Sequence, residues 1–224
     1  MERVIFFTAA TKSVRGFPQY LASCARHGIE PRVLGMGQKW EGFANKNSLV
    51  REQLDSLDNN ELIVMSDCYD VVFQKGSEEI INAFLSYQKP VVVSAERGFG
   101  YYDLSNTILP ETPNPLYRSL NSGFWMASVG DARDMLDEMW EGGEPDDQKM
   151  FYRWHGKNHD RATIDYKNIL VTSSNYRYVD EDLEYCDNLV YNKHTCTVPC
   201  AIHLSAYTDM TKIYEVLKLS NLGN

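Results

Sequence analysis

The chain is short of several things that would have assigned it quickly. It has no cluster of lysines and arginines: 22 basic residues face 31 acidic ones, for a net charge of −9. Gripping a phosphate backbone needs the opposite balance, so nucleic acid is not an expected partner. It has no long apolar run, and VIFFTAA near the start is too short for a signal core, with Glu2 ahead of it. The chain as written therefore reads as cytosolic, with no membrane span. Its five cysteines are odd in number and unevenly spread, which argues against a disulfide framework. There is no Gly-rich dinucleotide or P-loop fingerprint, no internal repeat and no low-complexity linker. Aromatics are generous at 12%, and 224 residues suffice for a full core, read here as a single domain over 1–224.

The most informative stretch is Glu61–Phe73, ELIVMSDCYDVVF. Leu62, Ile63, Val64 and Met65 are consecutive and apolar, as in a strand buried on both faces. The strand runs onto Asp67, and Asp70 follows ahead of a second apolar run, Val71–Phe73. Two carboxylates flanked by β-formers are costly to bury without a positive partner. Mg²⁺ or Mn²⁺ would serve, because each takes oxygen ligands and leaves positions open for phosphates. A pair of solvated acids in a turn is the plainer alternative.

Arg3–Ala10 reads as the first strand, ending in Thr8–Lys12, where small residues let a base or ribose approach the backbone. Gly16–His27 has helical apolar spacing, and Pro31–Leu34 is a short strand. In the loop-like stretch Gly35–Asn47, Lys46 precedes a helix over Ser48–Leu57 and could reach a diphosphate. Glu78–Tyr87 is an amphipathic helix and Pro90–Ala95 an apolar strand. Strand and helix thus alternate, the pattern of an α/β sheet.

Gly98–Arg118 has no periodicity and reads as a long loop over the sheet, of use as an acceptor platform or a dimer surface. Asn121-Ser122-Gly123 reads as a turn ahead of a strand over Phe124–Val129, with Gly123 a close-approach position and Asn121 an amide for sugar hydroxyls. A helix over Asp131–Glu141 stops at Gly142-Gly143. Asp146 and Asp147 then open another helix, as cap and first-turn acid or as carboxylates over a reaction centre. Ile169–Thr172 and Tyr176–Val179 read as weak strands. His194, Cys196, Cys200 and His203 invite a zinc reading, but their spacing is not that of common zinc sites; a last strand ending at His203, with His203 joining Asp67 and Asp70, competes with it.

Taken in order, these fragments resemble one family, the glycosyltransferase domain of the procollagen lysyl hydroxylases. The matching pieces are Thr8 to Lys12 with Gly16-Phe17, Leu34 to Gly37 with Trp40, Ser66 to Val71, and Ser94-Ala95-Glu96. Leu120 to Gly123, Asp146-Asp147-Gln148 with Phe151-Tyr152, and His203 complete the set. The resemblance implies a GT-A fold: Rossmann-like α/β, a mixed central sheet flanked by helices. It implies a retaining transferase that moves glucose from UDP-glucose to a hydroxylysine-linked galactose of a collagen-like protein. Alternatives are UDP-galactose or another donor with a different glycan or protein acceptor, or an inactive nucleotide-sugar-binding module.

By the same resemblance Asp67, Asp70 and His203 hold Mn²⁺, and Thr8, Thr11 and Tyr69 meet the uridine. Lys46 and Lys212 lie toward the diphosphate, Asp146 and Asp147 are catalytic, and Asn121 lies in the donor-sugar and acceptor region. The chain departs from the family pattern after His203, where Leu204 to Tyr207 replace a Gly-Asn-Gly and Lys212 is displaced. The family's secretory signal and hydroxylase domains have no counterpart here, as would suit a free-standing viral or microbial enzyme.

Overall fold

The computed structural model describes residues 3–98, 112–140 and 145–220. The sheet is built first from β1 (Val4–Ala9), β2 (Arg32–Leu34) and β3 (Leu62–Ser66), all parallel, with α1 (Phe17–Arg26) and α2 (Asn45–Leu54) in the connections. After β4 (Val71–Phe73) and α3 (Ser77–Leu85) come β5 (Val91–Glu96) and β6 (Ser119–Ser128). The chain continues through α4 (Val129–Met139), α5 (Asp147–Lys157), β7 (Ala162–Ile164) and β8 (Val171–Ser174). It ends with α6 (Val179–Asp182), the hairpin β9 (Leu183–Cys186) and β10 (Leu189–Asn192), β11 (Ala201–Leu204) and α7 (Thr211–Val216).

The spatial order is β2-β1-β3-β6-β5-β8-β11-β4, with β7 beside β5. Strand β6 is antiparallel to both neighbours, β3 and β5, and β4 is antiparallel to β11, so the sheet is mixed, as expected. Among the described residues no helix is long and apolar enough to cross a membrane.

The uninterrupted apolar runs follow from this layering. Side chains alternate along a strand, so β1 and β3 feed two cores at once. Phe7, Ile63 and Met65 pack on one face with Val50 and Leu54 of α2 and Met135 of α4; Phe6 and Val64 pack on the other with Tyr20 of α1 and Phe84 of α3. A third cluster joins Ile202 and Leu204 of β11 to the hairpin and to Ile213 and Tyr214.

Three local expectations are corrected. Asn121-Ser122-Gly123 is not a turn ahead of the strand but lies within β6, buried, because the Asn121 side chain accepts the Gly123 N–H (2.8 Å) and donates to Glu96 (3.0 Å). The pairing of β5 with β6 shifts register between Val93 and Ser94 beside it, the mark of a bulge. Helix α2 begins at Asn45, so Lys46 is in its first turn rather than in a preceding loop. Residues 175–178 form turns leading into α6, so the expected strand over Tyr176–Val179 is absent. Residues 99–111, the body of the expected long loop, and Gly142-Gly143 lie outside the described residues.

Candidate active site

A cavity of about 1200 Å³ opens where β3, β5 and β11 end and antiparallel β6 begins. Ligands of open α/β sheets collect at such strand ends. At its floor Asp67, Asp70 and His203 bring one ligand atom each to within 4.8 Å of one another. This is the one group of three or more such donors found among the described residues. The alternative zinc cluster is not assembled: Cys200 is buried, Cys196 is exposed, and His194 Nε2 turns to Asp182 (3.3 Å).

Strand pairing makes the trio. The Asp67 N–H, just past β3, donates to the Gly123 carbonyl on β6 (2.8 Å). Asp70 opens β4, whose antiparallel pairing sets His203 opposite Val71, while the Leu204 N–H closes on the Asp70 carbonyl (3.0 Å). His203 Nε2 thereby stands 3.5 Å from Asp70 Oδ2, and Nδ1 lies 3.2 Å from the Ser173 hydroxyl on β8. A partner on one ring nitrogen turns the other toward a metal. Gly123 is required by close approach: a Cβ there would lie 2.3 Å from His203 Cε1 and 2.9 Å from Asp67 Oδ2. Two carboxylates and an imidazole are a fitting donor set for a divalent ion such as Mn²⁺.

Lys46 stands behind the trio, 3% exposed, with Nζ 2.8 Å from both Asp67 Oδ1 and Asp147 Oδ2. Burial works against its charge, but Asp147 and Asp67 more than offset that and raise its pKa above the ordinary lysine value. Burial raises the Asp67 pKa, opposed by Lys46 and reinforced by Asp70. Burial also disfavours a charged His203, yet Asp70 and then Asp67 and Glu96 carry its pKa upward. The site therefore holds more carboxylate than its own cations neutralise.

The other predicted site residues divide. Asp146 lines the cavity and also caps α5, accepting the Lys149 N–H (3.2 Å). Asp147, buried in the first helical turn, faces the cavity as well. Asn121, Tyr69 and Thr11 line the cavity, and the Tyr69 hydroxyl donates to the Lys12 carbonyl (2.9 Å). Thr8 is fully buried with its hydroxyl on the Ser66 carbonyl (2.8 Å), outside the lining. Lys212 is exposed on α7 over the Tyr185 ring (4.9 Å), also outside the lining. Both were placed by family position, which does not report where a side chain turns.

One residue without an assigned role emerges. Glu96 is buried at the cavity wall, held by Asn121 Nδ2 (3.0 Å) and Gln148 Nε2 (3.3 Å), and burial raises its pKa. Its place at the end of an apolar strand was the available signal.

A family profile described as the PLOD GT domain matches residues 1–222. The chain belongs to that family. An uncharacterised protein of Acanthamoeba polyphaga mimivirus is 30% identical over 205 residues, 86% of this chain and 43% of the relative. Procollagen-lysine,2-oxoglutarate 5-dioxygenase 1 of Bos taurus is 28% identical over 159 residues, 67% of this chain and 22% of the relative. The chain thus spans less than half the length of either. The crystal structure of a glycosyltransferase involved in glycosylating the major capsid of PBCV-1 aligns with a TM-score of 0.54 at 12% identity. That alignment covers 96% of this chain and 99% of the other. Family and fold agree with the resemblance read from the sequence: this is a GT-A glycosyltransferase domain of the PLOD type.

Proposed function

We propose that residues 1–224 form one glycosyltransferase domain that uses Mn²⁺ to move glucose from UDP-glucose, with retention, to a hydroxylysine-linked galactose. The observation that carries this reading is the Asp67–Asp70–His203 trio on the cavity floor, backed by the buried Lys46–Asp147 pair. A divalent ion held by the trio supplies Lewis-acid charge to the departing diphosphate.

The chain's own groups do the rest. Ser173 holds the His203 ring, and Lys46 fixes Asp67 and pairs with Asp147 beside the reaction centre. Asp147, with Asp146 at the helix start, stabilises positive charge developing on the donor sugar ring. Asn121, Glu96 and Gln148 present linked donors and acceptors for sugar hydroxyls. With retention, the leaving phosphate can itself take the acceptor proton, so no separate base is needed.

UDP release from UDP-glucose and UDP-galactose, with Mn²⁺ or EDTA and with or without a galactosyl-hydroxylysine collagen peptide, tests the reading. Metal-dependent release from UDP-glucose that the peptide stimulates is expected. Preference for UDP-galactose would change the donor, and release without stimulation would change the acceptor. UDP binding with no transfer from any donor would make the domain a binding module.

A further inference from the structure

Four basic side chains line the cavity among the described residues: Arg15, Lys46, Arg97 and Arg177. Lys46 is enclosed by Asp67 and Asp147. Arg97 is held by Glu181 and the buried Asp182 and lies over the Tyr178 ring. Arg177 Nε donates to the Tyr176 hydroxyl and its guanidinium lies over that ring. Lys46 and Arg97 each hold a carboxylate that is itself buried, and breaking such a pair leaves a charge stranded.

Arg15 is held differently. One guanidinium nitrogen reaches Asp209 Oδ1 (3.0 Å) and Thr211 Oγ1 (3.1 Å), and both ends of the ion pair face solvent, 75% and 72% exposed. An exposed pair of this kind contributes little, so exchanging its carboxylate for another anion is nearly free.

The position of Arg15 is tied to the metal trio. It precedes Gly16, whose φ of +96° belongs to the left-handed region and at which a Cβ would lie 1.9 Å from the Tyr69 carbonyl oxygen. The turn carrying Arg15 therefore rests on the backbone between Asp67 and Asp70. Tyr214, also lining the cavity, confirms the neighbourhood: burial raises its pKa, Arg15 opposes the rise and Asp70 adds to it. Lys212, the other cation expected on this side, is turned onto Tyr185.

We propose that Arg15 is the side-chain cation for the nucleotide diphosphate, exchanging Asp209 for phosphate oxygens when the nucleotide enters. The assignment rests on the cavity being a UDP-sugar site. A guanidinium suits this role because its planar donors engage two phosphate oxygens together. Such an exchange also explains why a cavity-facing arginine is left on a solvent-exposed aspartate rather than on a buried one.

Calorimetric titration of the whole chain in Mn²⁺ with UDP, UMP and uridine tests it. Arg15→Gln should weaken UDP by about tenfold or more and change uridine by less than about twofold. Arg15→Lys should restore part of the loss, and Asp209→Asn should tighten UDP. Equal UDP affinity for wild type and Arg15→Gln would overturn the proposal, as would a loss for uridine equal to that for UDP. Wild-type protein that binds no UDP in Mn²⁺ would overturn the reading of the cavity along with it. Wild-type binding that Arg15→Gln leaves intact would remove the arginine alone.

Discussion

Two charged clusters border the same cavity and are built on opposite principles. Around Arg97 every charge is answered: Arg97 holds Glu181 (2.7 Å) and Asp182 (3.0 Å), and Asp182 also takes His194 (3.3 Å) and the Ser174 hydroxyl (2.7 Å). Around Lys46 the charges do not balance. Asp67, Asp70, Asp147 and Glu96 share one lysine and one histidine, and the trio of donors is left facing the cavity. The first arrangement fastens α6 to the end of β5. The second leaves an excess of negative charge that a metal ion and a sugar cation can use. A balanced buried network serves structure; an unbalanced one at a cavity floor serves chemistry.

The sharpest break of this contrast is Asp67→Ala. It should lower turnover by about a thousandfold or more, measured as UDP release, because the ion loses a ligand and Lys46 loses its orientation. Thermal stability without metal should change little, since Lys46 keeps Asp147. Unaltered turnover would remove the trio from the mechanism.

Lys46→Ala should cost about 3 kcal/mol of folding stability in urea titrations, because it leaves the buried Asp147 without its cation beside the half-buried Asp67. Added Mn²⁺ should raise the midpoint of this variant more than that of wild type, since the ion then offsets charge the lysine no longer does.

Away from both clusters, burial holds the His155 pKa near 4, against 6.5 in the unfolded chain, with His159 and Lys89 adding to the effect. The folded pKa is the lower one, so the unfolded state binds the proton first. Stability should therefore fall as pH drops from 6.5 toward 4, by up to about 3 kcal/mol. In His155→Phe this acid dependence should be visibly flatter across the same window.

Asp182→Ala should cost about 2 kcal/mol, less than Lys46→Ala, because Arg97 is partly exposed and keeps Glu181. Its Mn²⁺ affinity should match wild type, which is the measurement that separates the clusters. Arg51→Ala, which releases Asp55 and Asp137 at the surface, should stay within about 1 kcal/mol.

Much of the architecture was legible because it is written in local pattern. The runs Val4–Ala9, Leu62–Ser66 and Val91–Glu96 are strands by composition alone, and the unbroken apolar run Leu62–Met65 already implied core on both faces of β3. Asp67, Asp70 and Asp147 stand where strand ends and a helix start imply. The register of Asn121–Gly123 was not legible, since a side-chain bond to Glu96 and a break in the pairing with β5, with the extra residues in β6 itself, accommodate an Asn-Ser-Gly sequence within the strand. Nor was the start of α2, which moves Lys46 from a loop into the first turn of a helix.

What periodicity and chemistry of residue types settled is the class of fold, the pair of aspartates at a strand end, and a histidine on a late strand. Tertiary structure alone decided which of these meet. The antiparallel return of β4 onto β11 sets His203 beside Asp70, and α2 and α5 converge so that Lys46 bridges Asp67 and Asp147. The same packing turns Thr8 into the core and Lys212 away from the cavity, while leaving Arg15 at its edge. Periodicity reports which face of an element is buried; which distant side chains share a charge is settled only when the elements pack.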